Sequence, residues 1–137
     1  MNSSTYDDKI NLGFAEDYYN LMLKDDFVGM GQRLDPQVSF LGPLAELSGR
    51  EAVIEAAKNL RKVLKDIKIR SQFSSGDQVV LVSDFIFSNS IGVLRSSTLM
   101  SFKDHFITSI ELFYDARPFD EIQKDIFQNP DKKEAIS

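Results

Sequence analysis

Asp84, Asp115, Tyr18 and Tyr114 have the types and settings that proton-transfer chemistry needs in a small pocket. Either aspartate could take a proton next to a carbonyl if an apolar wall raised its pKa toward neutrality. Either phenol could donate a hydrogen bond to the oxyanion that follows. Glu111 shares strand parity with Asp115 but lies four residues away, about 13 Å if extended, too far for a tight carboxylate dyad.

Each candidate also has a purely structural reading. Tyr18 fits the apolar stripe of a helix, with a hydroxyl that needs only water or a carbonyl. Asp115 can satisfy backbone amides where a strand ends at Ala116-Arg117-Pro118, or pair with Arg117. Asp84 interrupts the row Val80, Val82 and Ile86, so it faces a pocket, a partner or the wet side of a sheet. Arg95 could hold a substrate carboxylate, counter Asp84 from a neighbouring strand, or guard a sheet edge.

Other chemistries lack their residues. The 137-residue chain has no cysteine, hence no thiolate nucleophile, disulfide or cysteine-held metal, and one histidine, His105, set in a turn. No metal site is expected. No nucleophile elbow, phosphate-cradling glycine loop or dinucleotide fingerprint is present. The net charge is −5, and the nearest basic grouping, Arg61, Lys62, Lys65 and Lys68, is dispersed among apolar neighbours, which argues against a nucleic-acid partner. No run approaches the roughly 20 apolar residues that span a bilayer, so no membrane association is expected. The start, Met1 to Lys9, carries Asp7 and Asp8 where a signal peptide needs basic then apolar residues. With the lack of cysteine, this suits a cytoplasmic protein.

The elements that must position these side chains follow from periodicity. Ile10, Phe14, Tyr18, Leu21 and Met22 recur at steps of three and four, which predicts a core-facing helix from Ile10 to about Lys24. A short helical piece carries Phe27, Met30 and Leu34. Val38-Ser39-Phe40-Leu41 lies between Pro36 and Gly42-Pro43 and reads as a strand, followed by a loop. Ser48-Gly49-Arg50-Glu51 has the form of a capping box ahead of an amphipathic helix carrying Val53, Ile54, Ala57, Leu60 and Leu64. Four extended segments follow, Ile67 to Phe73, Val79 to Phe87, Leu94 to Phe102 and Ile107 to Asp115, with antiparallel pairing expected from the turns between them. Phe119, Ile122 and Ile126 predict a short terminal helix. Residues 1–9 are expected to fray, 10–128 to form one domain, and 129–137 to be a polar tail. Helices come in a block before strands, so the class is α+β.

Three segments carry a resemblance: SFLGP at Ser39 to Pro43, SGREAVIEA at Ser48 to Ala56, and SIELFYDARPFDEI at Ser109 to Ile122. Their order and spacing resemble the SnoaL-like and ketosteroid-isomerase-like branch of the nuclear transport factor 2-like superfamily, over roughly Phe14 to Ile122. The resemblance implies a curved antiparallel sheet closed by N-terminal helices into a cone-shaped pocket, no cofactor, and frequent homodimers that use the outer face of the sheet. Such proteins range from enzymes to binding modules.

Residue by residue, the resemblance puts a general base where this chain has Phe40, which cannot accept a proton, and an oxyanion donor near Thr98. It matches Tyr18 to the tyrosine of the first helix, and it makes Asp115 the acid–base aspartate of cyclases; Asp84 is a second candidate from its place in the strand rather than from the resemblance. The implied pocket would be lined by Phe14, Met22, Phe40, Thr98, Met100, Glu111, Phe113 and Tyr114. Two readings follow: a cofactor-independent isomerase, cyclase or dehydratase acting on a small apolar carbonyl compound, or a non-catalytic module that binds a ligand or dimerises.

Overall fold

The computed structural model describes the backbone of residues 2–119 and the side chains of residues 7–119. Helix α1 spans Asn2–Leu23, so it begins eight residues earlier than the periodicity from Ile10 indicates. It stops where Asp25 adopts φ 59° and the Asp26 amide bonds back to the Leu21 carbonyl, a left-handed end that satisfies the last carbonyls. Helix α2, Phe27–Arg33, is capped by Asp26, whose carboxylate accepts from the Gly29 amide at 2.9 Å.

Six strands follow in one sheet: β1 Leu34–Leu41, β2 Glu46–Ser48, β3 Leu64–Ser75, β4 Gln78–Phe87, β5 Val93–Lys103 and β6 Phe106–Tyr114, with helix α3, Arg50–Arg61, between β2 and β3. Their spatial order is β2-β1-β6-β5-β4-β3. The class is α+β, and the sheet is mixed. β1 and β6 pair in parallel, whereas the sequence reading expected antiparallel pairing throughout. β2, α3, β3, β4 and β5 separate β1 from β6 in the chain, which returns to β1's flank running the same way.

Two local expectations are corrected. Glu46–Ser48, read as loop, is a short strand pairing with Ser39–Leu41. Because Ser48 belongs to that strand, the capping box does not form: Gly49 is the cap, at φ 97°, and no side chain bonds the first amides of α3. A glycine is needed there because that φ strains any other residue. The terminal helix expected from Phe119 lies outside the described residues apart from its first residue, which closes a single 3-10 turn at Arg117–Phe119.

The helices cover one face of the sheet. Val79, Leu81, Ser83, Phe85 and Phe87 of β4, and Leu94, Ser96, Thr98, Met100 and Phe102 of β5, are buried on that face by strict alternation. Each large apolar side chain among them, such as the fully buried Leu81 and Met100, contributes about 1.5–3 kcal/mol by leaving water. Arg61 ties the helical layer together: it donates to the carbonyls of Leu23 and Leu64 and pairs with Asp25 at 3.2 Å. No helix among the described residues is long and apolar enough to cross a membrane.

Candidate functional site

Between the helical layer and the sheet lies a cavity of about 200 Å³. α1 contributes Tyr18, Tyr19 and Met22, three positions that a helical turn brings to one side. From the strands come Phe40, Phe85, Ile110, Leu112 and Tyr114, each on the helix-facing side of its strand. α3 closes the wall with Val53, Ala56, Ala57 and Leu60, where the two alanines leave the room. No Asp, Glu, His, Lys or Arg lines it. Its polar atoms are phenol hydroxyls.

Those hydroxyls are not equivalent. Tyr19 and Thr98 share a hydrogen bond of 2.5 Å, which commits both groups. Tyr18 has no hydrogen bond among the described residues, so its hydroxyl is available to a ligand. Burial pushes the Tyr18 phenol well above the usual tyrosine range, and neighbouring Tyr19 adds to this. Burial raises Tyr19 too, against a lowering by its bond to Thr98, and it raises Tyr114. All three stay neutral donors at any physiological pH. The rings are mutually inclined, with Tyr18 and Tyr19 centroids 5.7 Å apart and Tyr19 meeting Phe85 edge-on at 5.6 Å.

Of the residues named from sequence, Tyr18, Met22, Phe40 and Tyr114 stand in this wall. The two aspartates do not. Asp115 lies beyond the end of β6, half exposed, where Arg117 grips both carboxylate oxygens through its side chain and one through its amide. Those bonds, the side-chain ones first, hold its pKa down to about 2, opposite to what a general base requires. Asp84 is on the opposite face of β4 from Phe85, between Arg70 and Arg95 at 3.8 Å each.

Five further positions are corrected, two of them by strand parity. Ile110, Leu112 and Tyr114 of β6 point at the helices, so Glu111 and Phe113 point away, and Phe113 is 56% exposed. Thr98 and Met100 face inward but are buried in the core beside the cavity rather than in its wall. Phe14 is one turn too early on α1: it packs edge-on against His105 and under the Arg33 guanidinium.

The resemblance aligned Tyr18 with the oxyanion tyrosine, but it is Tyr19 that reaches Thr98. Tyr19, Phe85 and the α3 alanines were the residues missed. Their signal was present in the Tyr18-Tyr19 pair and in the small residues on the apolar face of α3.

A larger groove of about 860 Å³ lies open between α2 and α3, with Arg50, Glu51, Glu55 and Lys58 on its rim. Its charges and openness suit solvent better than a buried ligand. Among the described residues no group of three or more His, Asp or Glu side chains is placed to hold a metal ion.

No family model and no curated protein matches the sequence. Solved structures do match. A nuclear transport factor 2-like protein of unknown function from Cytophaga hutchinsonii superimposes with a TM-score of 0.67 at 21% identity, over 77% of this chain and 90% of the other. This is the nuclear transport factor 2-like fold. A hypothetical protein of ketosteroid isomerase-like fold from Catenulispora acidiphila, solved in complex with trimethylamine, shares it with a TM-score of 0.65 at 14% identity, over 74% of this chain and 85% of that one. A de novo designed protein with a curved β-sheet fits at 0.75 and 15% identity, over 88% of this chain and 96% of the designed one. Because a designed chain superimposes as well as natural ones, the nuclear transport factor 2-like cone carries no activity by itself.

Proposed function

We propose that this chain is a small-molecule pocket protein that binds a compact, largely apolar compound in the cavity beside Tyr18. The observation that carries the proposal is an apolar wall that includes Tyr18, whose buried hydroxyl has no hydrogen bond among the described residues. An apolar cavity of about 150 Å³ is enough to hold benzene, so about 200 Å³ admits a ring-sized molecule. It falls short of the roughly 300–1,000 Å³ typical of pockets for larger ligands, which argues against a steroid. A carbonyl or hydroxyl on the ligand would accept from Tyr18.

Binding without proton transfer fits these residues best. An isomerase, cyclase or dehydratase of this shape needs a base against the substrate, and Phe40 stands where the resemblance places it. Asp115 is held ionised by Arg117 outside the cavity, and Asp84 is on the other face.

The test is a thermal-shift comparison of toluene, phenol, benzaldehyde and a steroid. At 100 times the dissociation constant a binder adds about 2.7 kcal/mol, a shift of several degrees for a chain this size. Stabilisation by ring-sized compounds but not the steroid supports the reading, and no stabilisation by any of them refutes it.

A homodimer through the outer face of the sheet is favoured by a separate observation. Phe73, Val93, Phe113 and Leu41 are 49–62% exposed, and Phe73, Val80, Leu99, Glu111 and Leu41 fall on one rung that crosses the sheet, apolar except for Glu111. Such a patch marks an interaction surface. Sedimentation at micromolar concentration decides it: a species of twice the chain mass supports the dimer, and monomer alone removes it.

A further inference from the structure

Phe40 stands in the cavity wall, and the far end of its ring rests on Gly42, the residue that follows β1. A Cβ built on Gly42 would lie 3.2 Å from Phe40 Cε1 and 3.6 Å from Cζ. The first distance is shorter than the roughly 3.5–4.0 Å at which carbon atoms pack. The glycine is not required by its backbone. Among the described residues the glycines of positive φ are Gly49, Gly76 and Gly92, and Gly42 is not one of them. What position 42 supplies is the absence of a side chain, and with it a seat for the ring.

The neighbouring strands occupy the flanks of that seat. Phe40 pairs with Leu47 of β2 on one side and with Ile110 of β6 on the other, and both partners line the cavity beside it. The Gly42 amide donates to the Ala45 carbonyl at 2.8 Å, which closes the β1–β2 turn and holds the glycine under the ring. A side chain at 42 would push the ring off its seat, and with strands on both flanks the ring yields toward the cavity that it lines.

We infer that Gly42 is a positioning residue that sets, through Phe40, the size of ligand the site admits. With the ring seated on the glycine, the space in front of it suits one aromatic ring rather than two. This rests on the reading of the cavity as a ligand site, and it adds the pair of residues that fixes the upper limit of size.

Toluene and naphthalene are the probes, one ring against two. Both are titrated by amide NMR shifts into the wild-type chain, Gly42→Val, Phe40→Leu and the double variant. Position 42 borders an exposed turn, so the amide spectra should show that each variant keeps the fold. Gly42→Val should weaken toluene by about tenfold, near the lower end of what overpacking a wall costs. In the Phe40→Leu background the shorter side chain does not reach position 42, and the same change should leave toluene affinity within about twofold. Phe40→Leu should raise the affinity for naphthalene relative to toluene by about tenfold, since a hydrophobic pocket discriminates to that extent over single methylenes.

Losses of toluene that are equal in the two backgrounds, or absent from both, overturn the inference while leaving the cavity reading intact. A naphthalene-to-toluene ratio that Phe40→Leu leaves unchanged does the same. Failure of toluene to bind the wild type overturns both together.

Discussion

The hydroxyls of Tyr19 and Thr98, 79 positions apart in sequence, share a hydrogen bond that joins α1 to the middle of β5. It fixes the rotation of α1 over the sheet, and with it the direction of Tyr18 and Met22 into the cavity. Both groups are buried, so the bond contributes to the position of the wall as well as to stability.

Tyr19→Phe leaves the Thr98 hydroxyl buried without its partner, and urea unfolding should show a loss of about 1–3 kcal/mol. Tyr19→Phe with Thr98→Val removes both groups and should recover part of that loss. An additive double variant would mean that the bond does not couple the helix to the sheet.

Asp115 gives a pH prediction with a definite sign. Its folded pKa is lowered to about 2 from an ordinary 3.8, so the stability it contributes is complete above the unfolded value and is lost as pH falls through the folded one. Asp115→Asn should therefore differ from wild type at pH 5 to 7 and converge with it between about pH 4 and 2, followed by thermal melts. Ligand binding at neutral pH should be unchanged in the variant. Loss of binding there would return Asp115 to the site.

Much of the fold was legible because its signals are local. The steps of three and four that place Tyr18 and Met22 on one stripe, and the breakers around Phe40, depend only on nearby residues. The parallel pairing of β1 with β6 joins segments about 70 residues apart, and no local pattern encodes it. Ser48 failed as a cap for a related reason: its pairing with Ser39 takes it into a strand that short-range propensity does not register. The site was legible at Tyr18, Met22, Phe40 and Tyr114, and misleading at the charged positions and at Phe14, Met100 and Phe113. Asp84 and Asp115 look catalytic in sequence because their pairings with Arg95 and Arg117 are there only alternatives to a pocket role, and folding alone brings Arg70 of β3 to Asp84 and decides between them.

Filling the cavity should be tolerated by the fold. Ala57→Leu adds three carbons at a buried wall position where overpacking ordinarily costs about 1–3 kcal/mol. With space in front of it, the variant should unfold within about 1 kcal/mol of wild type in urea. A larger loss would indicate that the wall is already closed around that position.

The outer face predicts the behaviour of Phe113→Lys. This residue is 56% exposed on the face of β6 turned away from the cavity, so the variant should fold with wild-type stability. If the face joins two copies, sedimentation of this variant should give monomer where the wild type gives dimer. An unchanged dimer would place the interface elsewhere.

The cavity itself is tested most directly by titrating toluene into the isotopically labelled chain and following amide shifts, with Ala57→Leu in parallel. Saturable shifts centred on Tyr18, Tyr19, Leu60, Phe85, Leu112 and Tyr114 in wild type, and absent in Ala57→Leu, are the predicted result. Shifts that are absent from the wild type, or that persist unchanged when the cavity is filled, would contradict a ligand site there.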